Sequence, residues 1–160
     1  MDPDQRRATT RTGSGFTLIE LVVTIGIVAI MAGIAAPSFV QMIANQRTKT
    51  IASDLFTALS RARSEAVKRN TDVALTPVSA SAWQLGWFIL NPDGSGAKLD
   101  DHGAVTDSTV TGPPSVIYHA NGRLRGGTTP SFDISAKGKL EHRCVTVDLS
   151  GRPYLKDTGC

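Results

Sequence analysis

The chain divides by polarity into two unequal parts. No residue from Leu21 to Gln46 is charged, and from Phe16 to Val40 the only polar side chains are Thr17, Glu20, Thr24 and Ser38. Such a run exceeds the ~20 residues that a helix needs to cross a hydrocarbon core of ~30 Å. Within it Gly26, Ala29, Ala32, Gly33 and Ala36 recur at steps of mainly three and four, which suits close approach between helices. Pro37 removes one backbone hydrogen bond and is expected to kink or locally melt the helix. Beyond it Ile51, Leu55, Leu59, Ala62 and Ala66 keep helical spacing, an amphipathic stripe suited to packing on a sheet. The opposite face carries Arg47, Lys49, Arg61, Arg63, Lys68 and Arg69 against Asp54 and Glu65, and Asn70 is the expected stop.

After Asn70 the pattern changes to short apolar runs separated by turns. Strands are expected at 72–78, 83–91, 115–119, 131–134, 142–149 and 152–156, with 94–114 read as a long loop. Turn chemistry lies at Asn91-Pro92-Asp93-Gly94, Gly112-Pro113-Pro114, Asn121-Gly122, Gly126-Gly127, Gly138 and Ser150-Gly151. The segment TVDLSGRPYL reads as a hairpin. A helix followed by antiparallel strands predicts an α+β fold, a long N-terminal helix packed on an antiparallel β-sheet head.

Length and charge add bounds. The 160 residues amount to about one domain, and 17 basic against 14 acidic residues give a formal charge of +3 that does not demand a nucleic-acid partner. His102, His119 and His142 are scattered, and no nucleophile–base grouping or phosphate loop emerges from spacing. NPDGSGAKLDD lacks the residue order of a calcium loop and reads as a turn. The sequence therefore predicts no enzyme, no cofactor and no metal site.

A polar leader, MDPDQRRATTRT, precedes the apolar run. A secretory signal carries small residues after an apolar stretch of about 7–15 residues, whereas Gly13-Ser14-Gly15 stand before it. A plain single-pass anchor remains open, since Arg6, Arg7 and Arg11 on one side balance Arg47 and Lys49 on the other. The hexapeptide Gly15-Phe16-Thr17-Leu18-Ile19-Glu20 resembles the prepilin-peptidase site of the type IV pilin superfamily. That resemblance implies a leader over 1–15, cleavage between Gly15 and Phe16, and N-methylation of Phe16. It further implies a membrane or filament-core helix over 16–42 and a globular head over 43–160.

The same resemblance accounts for Glu20. An unpaired acid in a membrane helix costs roughly 2.5–3.5 kcal/mol on insertion scales. The implied partner is the N-terminal amine of a neighbouring subunit, which makes Glu20 an assembly residue. A glutamate that merely snorkels to the interface is the alternative. LSRARSEAVKRNTDVALTP followed by WQLGWFIL is similar to the GspH/FimT/FimU branch of pilin-like proteins. This branch implies a minor pilin or a type II secretion pseudopilin. Its partners would be prepilin peptidase, the major pilin and other minor pilins, first in the inner membrane with a periplasmic head and then in a surface fibre.

An oxidising compartment makes a Cys144–Cys160 disulfide the expected state, closing about 15 residues for ~3 kcal/mol of stabilisation. A free thiol or metal pair is the alternative. Some FimT-type proteins bind DNA through a Gly-Arg-x-Arg element. Here Gly151, Arg152 and Pro153 fit it, but Tyr154 replaces its last arginine. Candidate DNA contacts are Arg123, Arg125, Lys137, Lys139, Arg143, Arg152 and Lys156, which read equally as solvated turn charges.

Overall fold

The computed structural model describes residues 15–136 and 142–160. Leader residues 1–14 and the candidate contacts Lys137 and Lys139 lie outside the described residues, as does the side chain of Pro37. The chain forms two compact units, the first ending at Phe39 and the second beginning at Val40.

One helix, α1 (Leu18–Arg69), contributes to both units. The helical assignment passes through Pro37, so the proline does not end the helix. Its C-terminus is where Asn70 was expected to stop it. Asn70 takes a left-handed φ of 51°, its N–H donates to Val67 (3.3 Å), and that of Thr71 donates to Ala66 (3.2 Å). These are the two bonds of a Schellman cap, with Asn in the position that tolerates positive φ. Lys68 and Arg69 in the last turn oppose the negative end of the helix dipole.

Among the described residues the head holds eight short strands, all paired antiparallel. They are β1 (Val73–Pro77), β2 (Trp87–Leu90), β3 (Lys98–His102), β4 (Ser108–Thr111), β5 (Val116–Tyr118), β6 (Ser131–Ala136), β7 (His142–Val147) and β8 (Pro153–Lys156). They form two four-stranded sheets, ordered β3-β2-β1-β5 and β4-β6-β7-β8. The expected hairpin is present: β7 and β8 pair, with Val145 opposite Leu155 and Val147 opposite Pro153.

Two expectations need correction. The segment 94–114 is not one long loop, because it contributes β3 and β4. Both escape an apolar-run search because β3 (KLDDH) is a charged edge strand and β4 (STVT) buries only Val110. The segment 83–91 is not one strand either. Trp83–Leu85 is a single 3-10 turn, and Gly86 at φ 106° separates it from β2. A Cβ at Gly86 would collide with the His102 carbonyl, so the break is a place where two backbones pass closely.

The amphipathic stripe does what its spacing predicted. Ile51, Leu55, Leu59, Ala62 and Ala66 are buried, and they share one core with Leu75 and Ile89 of the first sheet and Phe132, Ile134 and Val145 of the second. Trp83 joins the layers: its ring meets Phe132 edge-on at 4.7 Å, and its Nε1–H donates to the Pro113 carbonyl at 2.7 Å. Leu59→Ala should lower the stability of the head by about 2–5 kcal/mol, read as a fall in denaturant midpoint. Val67→Ala, at a side chain 54% exposed, should stay within about 0.5 kcal/mol of the parent in the same measurement.

Candidate functional site

The described part of the first unit is an apolar helix. The described side chains from Phe16 to Phe39 are exposed, including Leu18 at 80%, Ile30 at 68% and Ile34 at 76%. Among the described residues this is the one helix long and apolar enough to cross a membrane, with a mean hydropathy of 2.5 in its most apolar window. Gly26, Ala29, Ala32, Gly33 and Ala36 all lie on this bare segment.

Glu20 sits in the first turn, and its carboxylate is already engaged. Thr17 is the N-cap: its Oγ1 accepts the Glu20 N–H at 3.3 Å. In return Glu20 Oε2 accepts the Thr17 N–H at 3.2 Å and the Thr17 hydroxyl at 3.1 Å. This is a capping box, in which two otherwise orphaned helix donors are satisfied reciprocally. The carboxylate also lies at the positive end of the helix dipole. The Thr-x-x-Glu spacing that signals the box is present in the sequence at Thr17 and Glu20.

In the head, the polar face of α1 is tied down more than its sequence suggested. Arg47 pairs with Asp107 (2.6 Å), Arg61 with Asp100 (3.0 Å), and Asp54 with His102 (3.3 Å). His102 also stacks on Trp87, with centroids 4.0 Å apart. Arg69 reaches Glu65 (2.6 Å) and Asn91 (2.9 Å), and its guanidinium holds the Glu65 carboxyl below the usual carboxylate range. Exposed pairs of this kind are worth little each, about 0–1 kcal/mol.

The basic residues expected near the C-terminus are only partly gathered. Arg143 pairs with Asp157, and Arg125 lies 3.9 Å from Asp72, so both charges are met locally. Lys156 rests over the Tyr154 ring at 5.6 Å. Arg123 and Arg152 stand beside two turns that touch: Gly151, at φ 85°, presses on the Gly122 carbonyl so closely that a Cβ would collide with it. The same carbonyl accepts the Arg63 Nε–H at 3.0 Å. Tyr118 lies beneath this junction, fully buried, its hydroxyl without a partner among the described residues, and burial pushes its phenol far above the ordinary range.

Cys144 and Cys160 form a disulfide with their Cα atoms 5.0 Å apart. The tail it anchors gains a second hold, since Asp133 accepts the Cys160 N–H at 3.2 Å and meets His142 Nδ1 at 2.6 Å. Among the described residues no group of three His, Cys, Asp or Glu side chains is placed to hold a metal ion.

A family profile described as type II transport protein GspH matches residues 52–151, well over half of the 160-residue chain. The chain belongs to the GspH family. The prokaryotic N-terminal methylation motif matches residues 11–36, over the Gly15-Phe16 junction and the bare half of α1. The type IV minor pilin FimU of Pseudomonas aeruginosa strain PAO1, solved in two crystal forms, is similar in structure. One form is 28% identical, covers 68% of this chain and 91% of that one, and has a TM-score of 0.60. The other is 26% identical, covers 69% and 89%, and has a TM-score of 0.62. The minor pseudopilin EpsH of the Vibrio cholerae type 2 secretion system shares the fold, with 16% identity over 69% of this chain and 97% of that one, at a TM-score of 0.55. No curated protein sequence matches the chain.

This GspH-family chain is thus a pilin-like protein of the minor pilin or pseudopilin class, with a motif for prepilin processing. Its C-terminal hairpin makes two predictions. Cys160→Ser should cost the head ~3 kcal/mol on the loop-entropy account, read as a lower unfolding midpoint that reductant reproduces in the parent. In the β7–β8 turn, the Ser150 hydroxyl and the Arg152 N–H hold the Asp148 carboxyl below its ordinary value of 3.8. The turn's stabilisation is therefore fully present above that value and is lost as pH falls through the lower folded value. Acid titration of the Gly151 amide resonance should follow this direction, and Asp148→Asn should abolish it.

Proposed function

We propose that this chain is a minor type IV pilin. In this reading prepilin peptidase cuts between Gly15 and Phe16, Phe16 is N-methylated, and the apolar half of α1, over 16–42, holds the protein in the inner membrane. The head, over 43–160, faces the periplasm until the subunit enters a pilus, where it primes assembly at the tip with other minor pilins and the major pilin. The observation that carries the reading is the bare apolar helix with a carboxylate in its first turn, lying within the matched methylation motif. A helix exposing that much apolar surface needs lipid or other helices around it.

The pseudopilin of a type II secretion filament is the rival within the same class. The likeness to FimU at 28% identity, against 16% for EpsH, favours the pilus. DNA capture is the weaker reading, because Asp157 and Asp72 lie against two of the five described candidate contacts. The kink at Pro37 belongs to the proposal as a bend that lets the apolar half turn within the filament.

Two experiments test this. Deletion of the chain in its source organism should abolish or thin surface pili while leaving protein secretion intact. Normal piliation with lost secretion would identify a pseudopilin instead. Glu20→Ala should still insert and lose its leader, yet be depleted roughly tenfold or more from sheared filaments, in line with the loss of a paired intramembrane charge. Incorporation at the parental level would show that the Glu20 pairing is not needed.

A further inference from the structure

The C-terminal end of α1 and the edge strand β8 leave a groove of about 410 Å³ between them, lined by Ser60, Arg63, Ser64, Val67 and Lys68 from the helix and by Pro153 from β8. The helical residues occupy one contiguous face at steps of three and four, next to the buried stripe. Two observations suggest that this face is incomplete in the single chain. Its floor is apolar and uncovered: Val67 is 54% exposed. On β8, Leu155 is 49% exposed although its cross-strand partner Val145 is fully buried. The inward face of the second sheet therefore continues beyond the cover that α1 provides.

The lining of the groove carries two cations, Arg63 and Lys68, and no acidic side chain. Lys68 lies 4.0 Å from Glu65, but that carboxylate is already committed to Arg69 at 2.6 Å. Arg63 gives its Nε–H to the Gly122 carbonyl, a neutral acceptor. Arg152, which precedes the groove residue Pro153 in the chain, forms no side-chain ion pair among the described residues, and the acidic group its charge acts on is Asp148 in the same turn. An exposed apolar floor inside a polar rim is the arrangement of an interaction site. The sign of this rim selects an acidic partner.

We infer that the α1–β8 groove seats an acidic segment from the head of a neighbouring filament subunit, a segment carrying at least one apolar side chain. Its carboxylates meet Arg63, Lys68 and Arg152, and its apolar side chain covers Val67, Pro153 and Leu155. The inference rests on the filament reading above and names a contact of the head within it. A nucleic acid fits less well, because a phosphodiester backbone satisfies the rim but brings nothing apolar to the floor. The residues that set the partner's identity include the β8 side of the groove, which lies beyond Gly151, where the family match ends.

Site-specific photo-cross-linking of the full chain in its source organism tests this. A benzophenone amino acid replaces Ser64 in the groove or, as a control, the exposed Ser95 in the β2–β3 turn, which does not line it. Illumination of the Ser64 variant should give an adduct whose partner, identified by mass spectrometry, carries an N-terminal methylation motif and is linked beside an acidic residue. The double charge reversal Lys68→Glu and Arg152→Glu should reduce that adduct roughly tenfold, as expected for a contact held by complementary charge. Both substituted side chains are exposed, and an unchanged unfolding midpoint establishes that the head is intact.

Loss of the Ser64 adduct relative to Ser95, an adduct insensitive to charge reversal, or an adduct that nuclease removes would each overturn the proposal. Immunoblotting of sheared filaments separates the two levels. Chain present in filaments without the adduct removes the groove contact alone. Chain absent from filaments removes the filament reading, and the groove with it.

Discussion

Everything in this protein depends on one helix that must satisfy two solvents. Over its first half α1 exposes nearly every apolar side chain; over its second half it buries a narrow stripe against two sheets. The hydrophobic effect therefore acts on the two halves in opposite ways. In the head, burial of Leu55, Leu59 and the alanines removes apolar area from water within the chain and folds it. In the first half the described apolar side chains stay exposed, and the same driving force favours their burial in lipid or against other helices. Folding and assembly are thus divided along a single element.

Polar groups on the helix follow the same division. In the head the charged side chains of α1 find partners on the sheets and loops, such as Asp107, Asp100 and His102. In the apolar half Thr24 and Ser38 turn their hydroxyls back to carbonyls three residues earlier, and Glu20 closes a capping box with Thr17. These hydroxyls and one oxygen of Glu20 are satisfied locally, which lowers the cost of a polar group in a low-dielectric surrounding and leaves the second carboxylate oxygen of Glu20 open to a partner.

Much of this was legible because it rests on periodicity. The bare run, the buried stripe, the stop at Asn70 and the β7–β8 hairpin follow from spacing and turn residues, and the structure has all four. What was not legible depends on partners far away in sequence. β3 carries a charged pattern that only makes sense at a sheet edge beside Arg61 and Asp54. The break at Gly86 is set by the backbone of His102, sixteen residues on, which no local pattern reveals. The division into two sheets likewise arises from β4 leaving the neighbourhood of β3 to pair with β6. At the functional end the residues were legible. Glu20 stood out as a charge in an apolar run, and the structure shows its carboxylate held by Thr17 at the Thr-x-x-Glu spacing of a capping box.

The contact between Gly122 and Gly151 also decides where this head can change. Because each turn is the wall of the other, neither can lengthen without driving the two sheets apart. The turn from Asn91 to Ala97 is built differently. Its Asp93 carboxylate accepts the Ser95 N–H at 2.8 Å, its ends close through the Asn91 N–H and the Ala97 carbonyl at 2.7 Å, and Gly94 and Gly96 have open space around them. The tip of such a loop, at Gly94 to Gly96, tolerates insertion because it has open space around it. It is the natural place to splice an epitope or a fluorophore site and follow the subunit in living cells, with the core and the bare helix untouched.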